Sequence, residues 1–142
     1  MGLDTPICLG LPDGELSDHE DRLADLISEL IGARAWCAAT WRGDGHPDHE
    51  AVGRAAAAAT ERVGTVLLEY PVWMWHWAWP GDDAVPWDRL HAMPLADNAV
   101  ERKTAAAGYY RTQFEQAGAN GLPVLPPFVL DRLLQVKEVV FR

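Results

Sequence analysis

Two imidazoles and a carboxylate stand within four residues in the loop His46-Pro47-Asp48-His49, just after Gly45. Neutral imidazole is a zinc ligand, and its second ring nitrogen is usually oriented by a carboxylate or a carbonyl group. The loop therefore has the residue types for a metal ligand, a group that orients it, and a proton donor. An ordinary surface turn with two histidines would have the same composition, and the loop alone does not decide between these interpretations.

The elements on either side of this loop predict its place in a fold. An apolar run from Ala35 to Trp41 precedes the loop, an alanine-rich stretch from Ala51 to Arg62 follows it, and Thr65 to Tyr70 supplies another strand. Alternation of short strands with helices favours βαβ units around a parallel sheet. Loops at the carboxyl ends of such strands bind ligands in α/β folds, so we expect the histidine loop to lie there.

Another helix is predicted upstream, where Ser17 and Glu20 form a capping-box pattern and Gly32 marks the end of an apolar periodicity. The remaining predicted elements are a buried strand from Ile7 to Leu11, a strand from Arg89 to Leu95, a helix from Asp97 or Asn98 to about Gln116, an amphipathic turn from Phe128 to Leu134, and a final strand from Glu138 to Phe141.

Composition limits the domain count and the partners. The chain has 142 residues, 49% of them hydrophobic, which is enough for one core, and we predict a single domain. Lys and Arg total 12 against 21 Asp and Glu, and no segment concentrates the basic residues. A formal charge of -9 without a basic stripe argues against nucleic acid as a partner.

The cysteines and the apolar segments predict a cytoplasmic protein without a membrane span. Cys8 and Cys37 lie in apolar runs without CxxC spacing, so we expect small buried side chains in a reducing compartment. The first residues show neither a basic nor an apolar targeting region. The most apolar window, residues 63–79, is interrupted by Glu69, Pro71 and His76, which a membrane helix rarely tolerates.

An ordered set of motifs resembles the PIG-L/LmbE family of zinc-dependent de-N-acetylases across nearly the whole chain. The segment from Gly43 to Gly53 is similar to the second family signature, a glycine-containing loop that ends in His-Pro-Asp-His before a small-residue helix. The other similar features are the turn from Leu11 to Gly14, the pattern Lys103, Ala106, Tyr110, Thr112 and Gln113, in which tyrosine and threonine replace the family's histidine and serine, and the closing strand from Glu138 to Phe141.

This resemblance implies a Rossmann-like α/β fold, with a mostly parallel sheet and flanking helices. It also implies a zinc ion that activates water to hydrolyse the acetamido group of a small amino-sugar conjugate, commonly of N-acetylglucosamine. By position, His49 would be a zinc ligand. His46 would polarise the amide carbonyl and protonate the leaving amine, and Asp48 would hold the ring of His46 in place.

The family's first signature, a His-Pro-Asp-Asp-Glu-like loop after its first strand, has no counterpart in this sequence. That loop provides two further zinc ligands and the general base, and His19 fits a solvated helix turn better than a substitute ligand. The resemblance therefore implies a domain over residues 1–142 that lacks the family's N-terminal strand-loop-helix segment. A sheet without that strand would have an edge open to self-association.

Other residues could contact the substrate. Arg42 and Asp44 flank the histidines on the loop, although solvated charge is the usual state of such residues. Trp73 belongs to a row of tryptophans from Trp73 to Trp79 that could stack on a sugar ring or fill a core. Two functions are open at this point. One is zinc-dependent de-N-acetylation, with the chain inactive by itself, and the other is a non-catalytic carbohydrate-binding or assembly module with a degenerate metal site.

Overall fold

The computed structural model describes residues 5–32, 36–115, 121, 123–135 and 138–142. The chain divides into two compact units, Met1–Val72 with Arg142, and Trp73–Phe141. Among the described residues, no helix combines the length and the apolar character needed to cross a membrane.

The first unit contains the predicted strand-helix-strand arrangement. Its elements are a 3₁₀ turn at Leu16–His19, helix α1 at Glu20–Ile31, strand β1 at Trp36–Thr40, helix α2 at Pro47–Val63 and strand β2 at Val66–Tyr70. Strands β1 and β2 pair in parallel, so that Trp36 lies opposite Val66 and Thr40 lies opposite Tyr70. The prediction of a parallel pair joined through an alanine-rich helix is confirmed.

Helix α2 forms because its sequence satisfies both ends and gives it one small, buried face. Pro47 stands at the first helical position, where a missing N–H costs nothing. At the other end Gly64 adopts the left-handed conformation, with φ of 70°, and its N–H bonds to carbonyls of the last turn. The buried face consists largely of alanines, of which Ala55 packs against Leu23 and Ala24 of α1.

The close approach of α2 to the end of β1 depends on Gly53. A Cβ atom at this position would lie 2.6 Å from the carbonyl oxygen of Thr40 and 2.7 Å from the backbone nitrogen of Arg42. Because both neighbours are backbone atoms of β1 and the loop after it, only glycine fits there. Gly53 therefore sets the distance between the helix and the strand that precedes the histidine loop.

Three predictions at the start of the chain are wrong. Residues 7–11 form no strand, Ile7 is 67% exposed, and Cys8 is exposed rather than buried. Leu9 and Leu11 instead pack, partly buried, against the cluster of α1 and α2, so an extended segment buries its apolar side chains without pairing. Ser17 lies inside the 3₁₀ turn, and α1 begins three residues later without a side-chain cap.

The second unit is built from short helices and one antiparallel pair of strands. Its elements are α3 at Met74–Trp77, a 3₁₀ turn at Trp87–Arg89, β3 at Leu90–Met93, α4 at Asp97–Ala107, α5 at Arg111–Phe114, α6 at Pro127–Gln135 and β4 at Glu138–Phe141. Strand β3 runs antiparallel to β4, with Leu90 opposite Phe141. The final strand and the helical segment near Phe128 are confirmed.

The antiparallel pair shows that a mostly parallel sheet was the wrong prediction, while the α/β class is confirmed. Periodicity locates strands but does not determine the direction in which they pair. Among the residues described between β3 and β4, the chain forms three helices rather than one crossover helix. The long helix predicted from Asp97 is also interrupted, because α4 ends before Gly108 and α5 begins at Arg111. The predicted end of this helix, Gln116, lies outside the described residues. Ala35, the start of the apolar run before the histidine loop, also lies outside them.

We expect Gly53→Ala to lower the free energy of unfolding by about 2 kcal/mol. Overpacking against fixed backbone costs roughly 1–3 kcal/mol or more, which outweighs the gain of about 1 kcal/mol in helix propensity. Gly108→Ala is the matched control, because a Cβ there would lie 3.4 Å from its nearest neighbour, in ordinary contact. Urea denaturation of both variants measures the difference. Equal stabilities for the two variants would contradict the close approach.

Candidate functional site

The histidine loop lies between the carboxyl end of β1 and the start of α2, which is where the strand-helix-strand pattern predicted it. Trp41 is buried, and its N–H donates to the carbonyl of Tyr70, which extends the pairing of the two strands by one residue. The N–H of Asp44 then donates to the carbonyl of Trp41, and this bond closes a tight turn. The turn delivers His46 to the N-cap position of α2.

A buried carboxylate fixes the ring of His49. Oδ2 of Asp44 lies 2.6 Å from Nδ1 of His49, and Oδ1 of Asp44 accepts the N–H of Val72 at 2.8 Å. Asp44 is fully buried, whereas the His49 side chain is 27% exposed. Because an ionised carboxylate only accepts hydrogen bonds, Nδ1 of His49 carries the hydrogen. In the neutral ring the lone pair is then on Nε2, the nitrogen available to a ligand.

His46 has the opposite arrangement of hydrogen and lone pair. Its Nδ1 accepts the backbone N–H of Asp48 at 3.2 Å, so in the neutral ring the hydrogen is on Nε2. The rings of His46 and His49 stack with their centres 4.4 Å apart and an angle of 26° between their planes. The site therefore stacks the His49 ring, whose Nε2 is an electron-pair donor, on the His46 ring, whose Nε2–H is a hydrogen-bond donor.

The carboxylate of Asp48 binds a different part of the chain from the one that the resemblance implied. Its oxygens accept the backbone N–H groups of Gly14, at 2.6 Å, and of Leu16, at 3.2 Å. The bond from Gly14 is the largest cause that lowers the pKa of Asp48, and the nearby imidazoles add to it. Asp48 contacts Nδ1 of His46 through its backbone N–H, whereas its carboxylate binds the turn before α1.

Arg42 and Asp44 were predicted as substrate contacts, and the structure gives both of them structural partners. Asp44 is fully buried, and its two carboxylate oxygens bind His49 and the N–H of Val72. Arg42 forms a bidentate pair with Glu69, with Nε 2.7 Å from Oε1 and Nη2 2.9 Å from Oε2. Glu69 also accepts the backbone N–H of Arg42 and is buried, and this pairing raises the pKa of Arg42.

Glu69 is the residue that sequence reasoning missed as part of this site. In the sequence, Glu69 is a single charged residue inside the apolar strand Val66–Tyr70. That charge argues against a membrane helix, and it also indicates a buried carboxylate. A carboxylate at a buried strand position needs a cationic or N–H partner. Arg42, which lies shortly after the paired strand β1, provides both a cation and a backbone N–H.

Trp73 belongs to the second unit, whereas the residues of the histidine loop belong to the first. Its ring stacks on that of His76, with the centres 3.9 Å apart. Nε2 of His76 lies 2.9 Å from the carbonyl oxygen of Val124, so the imidazole has a backbone partner. The structure thus brings together Arg42, Asp44, His46, Asp48 and His49 in one unit, and places Trp73 in the other.

The fit to a metal ion is partial. His49 has the arrangement of a zinc ligand whose second nitrogen is held by a carboxylate. A catalytic zinc ion commonly has three protein ligands. Over residues 5–32, 36–115, 121, 123–135 and 138–142, no group of three or more His, Cys, Asp or Glu side chains is placed to hold a metal.

Comparisons with known proteins found no protein-family model, no curated protein and no solved structure that matches this chain. The resemblance to the PIG-L/LmbE family therefore stays a prediction that depends on the motifs themselves.

We expect Arg42→Ala to lower the free energy of unfolding by about 2 kcal/mol, since it leaves Glu69 buried without its cation; the loss from a fully buried pair would be larger, roughly 3–5 kcal/mol. The Arg42 side chain is 44% exposed, which moderates the effect. Arg62→Ala is the control, because its pair with Asp25 is exposed on both sides and should contribute about 0.5 kcal/mol. Equal losses in urea denaturation would show that Arg42 does not stabilise Glu69.

Proposed function

We propose that the histidine loop is part of a zinc-dependent amidohydrolase site that removes the acetyl group from a small amino-sugar conjugate. The proposal includes a Rossmann-like fold around the parallel pair β1 and β2, and a cytoplasmic location. Its substrate class and reaction come from the resemblance of the loop to the PIG-L/LmbE signature. The observation that carries it is the buried pair of Asp44 and His49.

The pair of Asp44 and His49 supports a metal-binding role because it prepares one specific nitrogen. A carboxylate behind the ring fixes the ring's orientation and tautomer and raises the basicity of the ligating nitrogen. A histidine in an ordinary surface turn needs no such group, and a fully buried carboxylate is costly unless it is well bonded. Zinc bound at Nε2 would supply a water molecule that loses its proton near neutral pH.

His46 supports the amidohydrolase reaction because its Nε2 carries a hydrogen and its ring stacks on that of His49, the proposed metal ligand. Attack on an amide carbonyl places negative charge on the carbonyl oxygen, and a preorganised donor lowers the energy of that state. The Nε2–H of His46 would donate a hydrogen bond to this oxygen, and the proton that the attacking water loses to the general base would pass to the leaving amine. Two contacts hold its ring: the N–H of Asp48 donates to Nδ1, and the ring of His49 stacks on its face.

The described residues provide one of the ligands that such a site needs, so the proposal assigns the remaining ligands and the general base to groups outside those residues. We therefore expect the chain by itself to hold less than one equivalent of zinc at micromolar concentration. We also expect it to release no acetate from N-acetylglucosamine conjugates, because a single imidazole binds zinc weakly.

Zinc titration followed by ¹⁵N NMR of the imidazole nitrogens tests the metal ligand. We expect zinc to shift Nε2 of His49 at a concentration at least tenfold lower than the one that shifts His91, an exposed histidine on β3. Asp44→Asn should weaken binding at His49 by about 10- to 100-fold, as loss of such a supporting carboxylate does elsewhere. Equal affinity at His49 and His91, or an affinity that His49→Ala leaves unchanged, would refute the proposal.

Sugar titrations test the role of His46. N-acetylglucosamine, added with zinc, should shift Nε2 of His46, because that nitrogen would donate to the acetamido oxygen. Glucosamine lacks the acetyl group and is the matched control, for which we expect no shift at His46. Identical effects of the two sugars would contradict recognition of the acetamido group.

A second candidate function, an assembly module, is favoured by one face of the pair β1 and β2. Trp36 is 59% exposed, and Val66 and Tyr70 are each 40% exposed on the same side of the two strands. The outer edge of β1 has no strand partner in the described part of the chain. Unpaired edges beside exposed apolar side chains favour pairing with another copy.

Sedimentation velocity over a range of concentrations tests this self-association. Trp36→Lys should raise the concentration at which dimers form by at least tenfold, since it places a charge in the apolar face. Ile7→Lys is the control, because Ile7 is 67% exposed but lies outside the sheet. A monomer at all concentrations would rule out the assembly role.

A further inference from the structure

The second unit contains an apolar groove with one charged side chain, which we call the tryptophan groove. Its volume is about 420 Å³, and its walls include Trp75, Trp79, Trp87 and Leu90, with Arg132 as the charged residue. Trp79 is 68% exposed, so the groove is open to solvent on that side. Nε1 of Trp87 donates to the carbonyl oxygen of Asp82 at 2.9 Å, which fixes this wall.

The guanidinium of Arg132 is held in place before any ligand arrives. Its Nη1 donates to the carbonyl oxygens of Trp75, at 2.6 Å, and Ala78, at 3.2 Å, at the end of α3. Its central carbon lies 5.4 Å from the ring centres of both Trp79 and Phe128. Rings at this distance attract a cation and restrict its motion.

The contacts of Arg132 fix the position of its guanidinium but place no carboxylate beside it among the described residues. Arg42, Arg54 and Arg62 each pair with a carboxylate. Arg132, in contrast, has only carbonyl and ring contacts within the described residues, and its edge of Nε and Nη2 makes no hydrogen bond there. In a chain with 21 acidic residues against 12 basic ones, a half-buried cation without a carboxylate points to a ligand that brings one.

We propose that the tryptophan groove binds a small carboxylate that carries an apolar, ring-containing body. The Nε and Nη2 edge of Arg132 would take the two carboxylate oxygens in a bidentate pair, which is the geometry that a planar guanidinium matches. The apolar body would lie against Trp75, Trp87 and Leu90. This site is independent of the histidine loop and of the deacetylation proposed for it.

The walls decide between an apolar acid and an acidic sugar. Hydroxyl groups that leave water need hydrogen-bond partners, and burying them without partners is costly. The groove walls are indole rings and aliphatic side chains, and the N–H of Trp87 is already bonded to Asp82. A ring without hydroxyls therefore fits these walls better than a uronic acid does.

Phenylacetate and phenylacetamide form the test pair, since they share the ring and differ in charge. In ¹⁵N–¹H spectra we expect phenylacetate to shift the indole N–H signals of Trp79 and Trp87, and to bind at least tenfold more tightly than phenylacetamide. Glucuronate should bind at least tenfold more weakly than phenylacetate. Equal binding of phenylacetate and phenylacetamide, shifts confined to other residues, or tighter binding of glucuronate would overturn the proposal.

Variants locate the carboxylate partner. Arg132→Gln should remove the preference for phenylacetate and leave the weak binding of phenylacetamide unchanged, which would show that the groove is still folded. Arg102→Gln on α4 is the matched control and should change neither affinity, because Arg102 is exposed and lies outside the groove. If Arg132→Gln unfolds, Leu90→Ala replaces it, and this change should weaken both ligands equally, because the apolar body shared by the two ligands lies against Leu90. A preference that survives Arg132→Gln would overturn the proposal.

Discussion

The buried carboxylate of Asp44 is the contact on which the histidine loop depends. A charge without solvent is stable only with strong partners, and this one has the imidazole of His49 on one oxygen and the N–H of Val72 on the other. These partners come from the first turn of α2 and from the chain that leaves β2. Asp44 therefore connects the segments that follow the carboxyl ends of β1 and β2, and its bond to Nδ1 determines the orientation of the His49 ring.

Two further contacts determine where Asp44 and His49 meet. Gly53 allows α2 to approach the exit of β1 closely, and a side chain there would move the helix and His49 with it. Glu69 accepts hydrogen bonds from the backbone N–H and the guanidinium of Arg42. Arg42 follows Trp41, where the chain leaves the strand pair. The backbone on both sides of the loop is thus fixed by buried groups, which is how a polar loop can hold ring nitrogens in constant positions.

The sequence predicts the local elements of this unit better than the roles of its charged residues. Apolar runs and alanine periodicity located β1, α2 and β2 because burial imposes those patterns on any sequence. The burial of Asp44 and Glu69 has no local signature, since it depends on which backbone N–H groups the fold brings near them. The same limit explains the wrong expectation for residues 7–11, whose apolar side chains are used without strand pairing, and for the direction of β3 relative to β4.

The spacing of the two histidines follows from the needs of a helix N-terminus. The first N–H groups of a helix lack carbonyl partners, and His46 at the N-cap supplies Nδ1 as the acceptor for the N–H of Asp48. That requirement sets the hydrogen of the neutral ring on Nε2. His49 lies three residues later, on the same side of the first turn, where its ring stacks on His46. Pro47 needs no acceptor at all, and the Asp48 carboxylate is left to bind the turn at Gly14. The four-residue motif therefore combines a cap with two imidazoles of opposite hydrogen-bonding character, and the buried Asp44 leaves Nε2 of the second with a lone pair rather than a hydrogen.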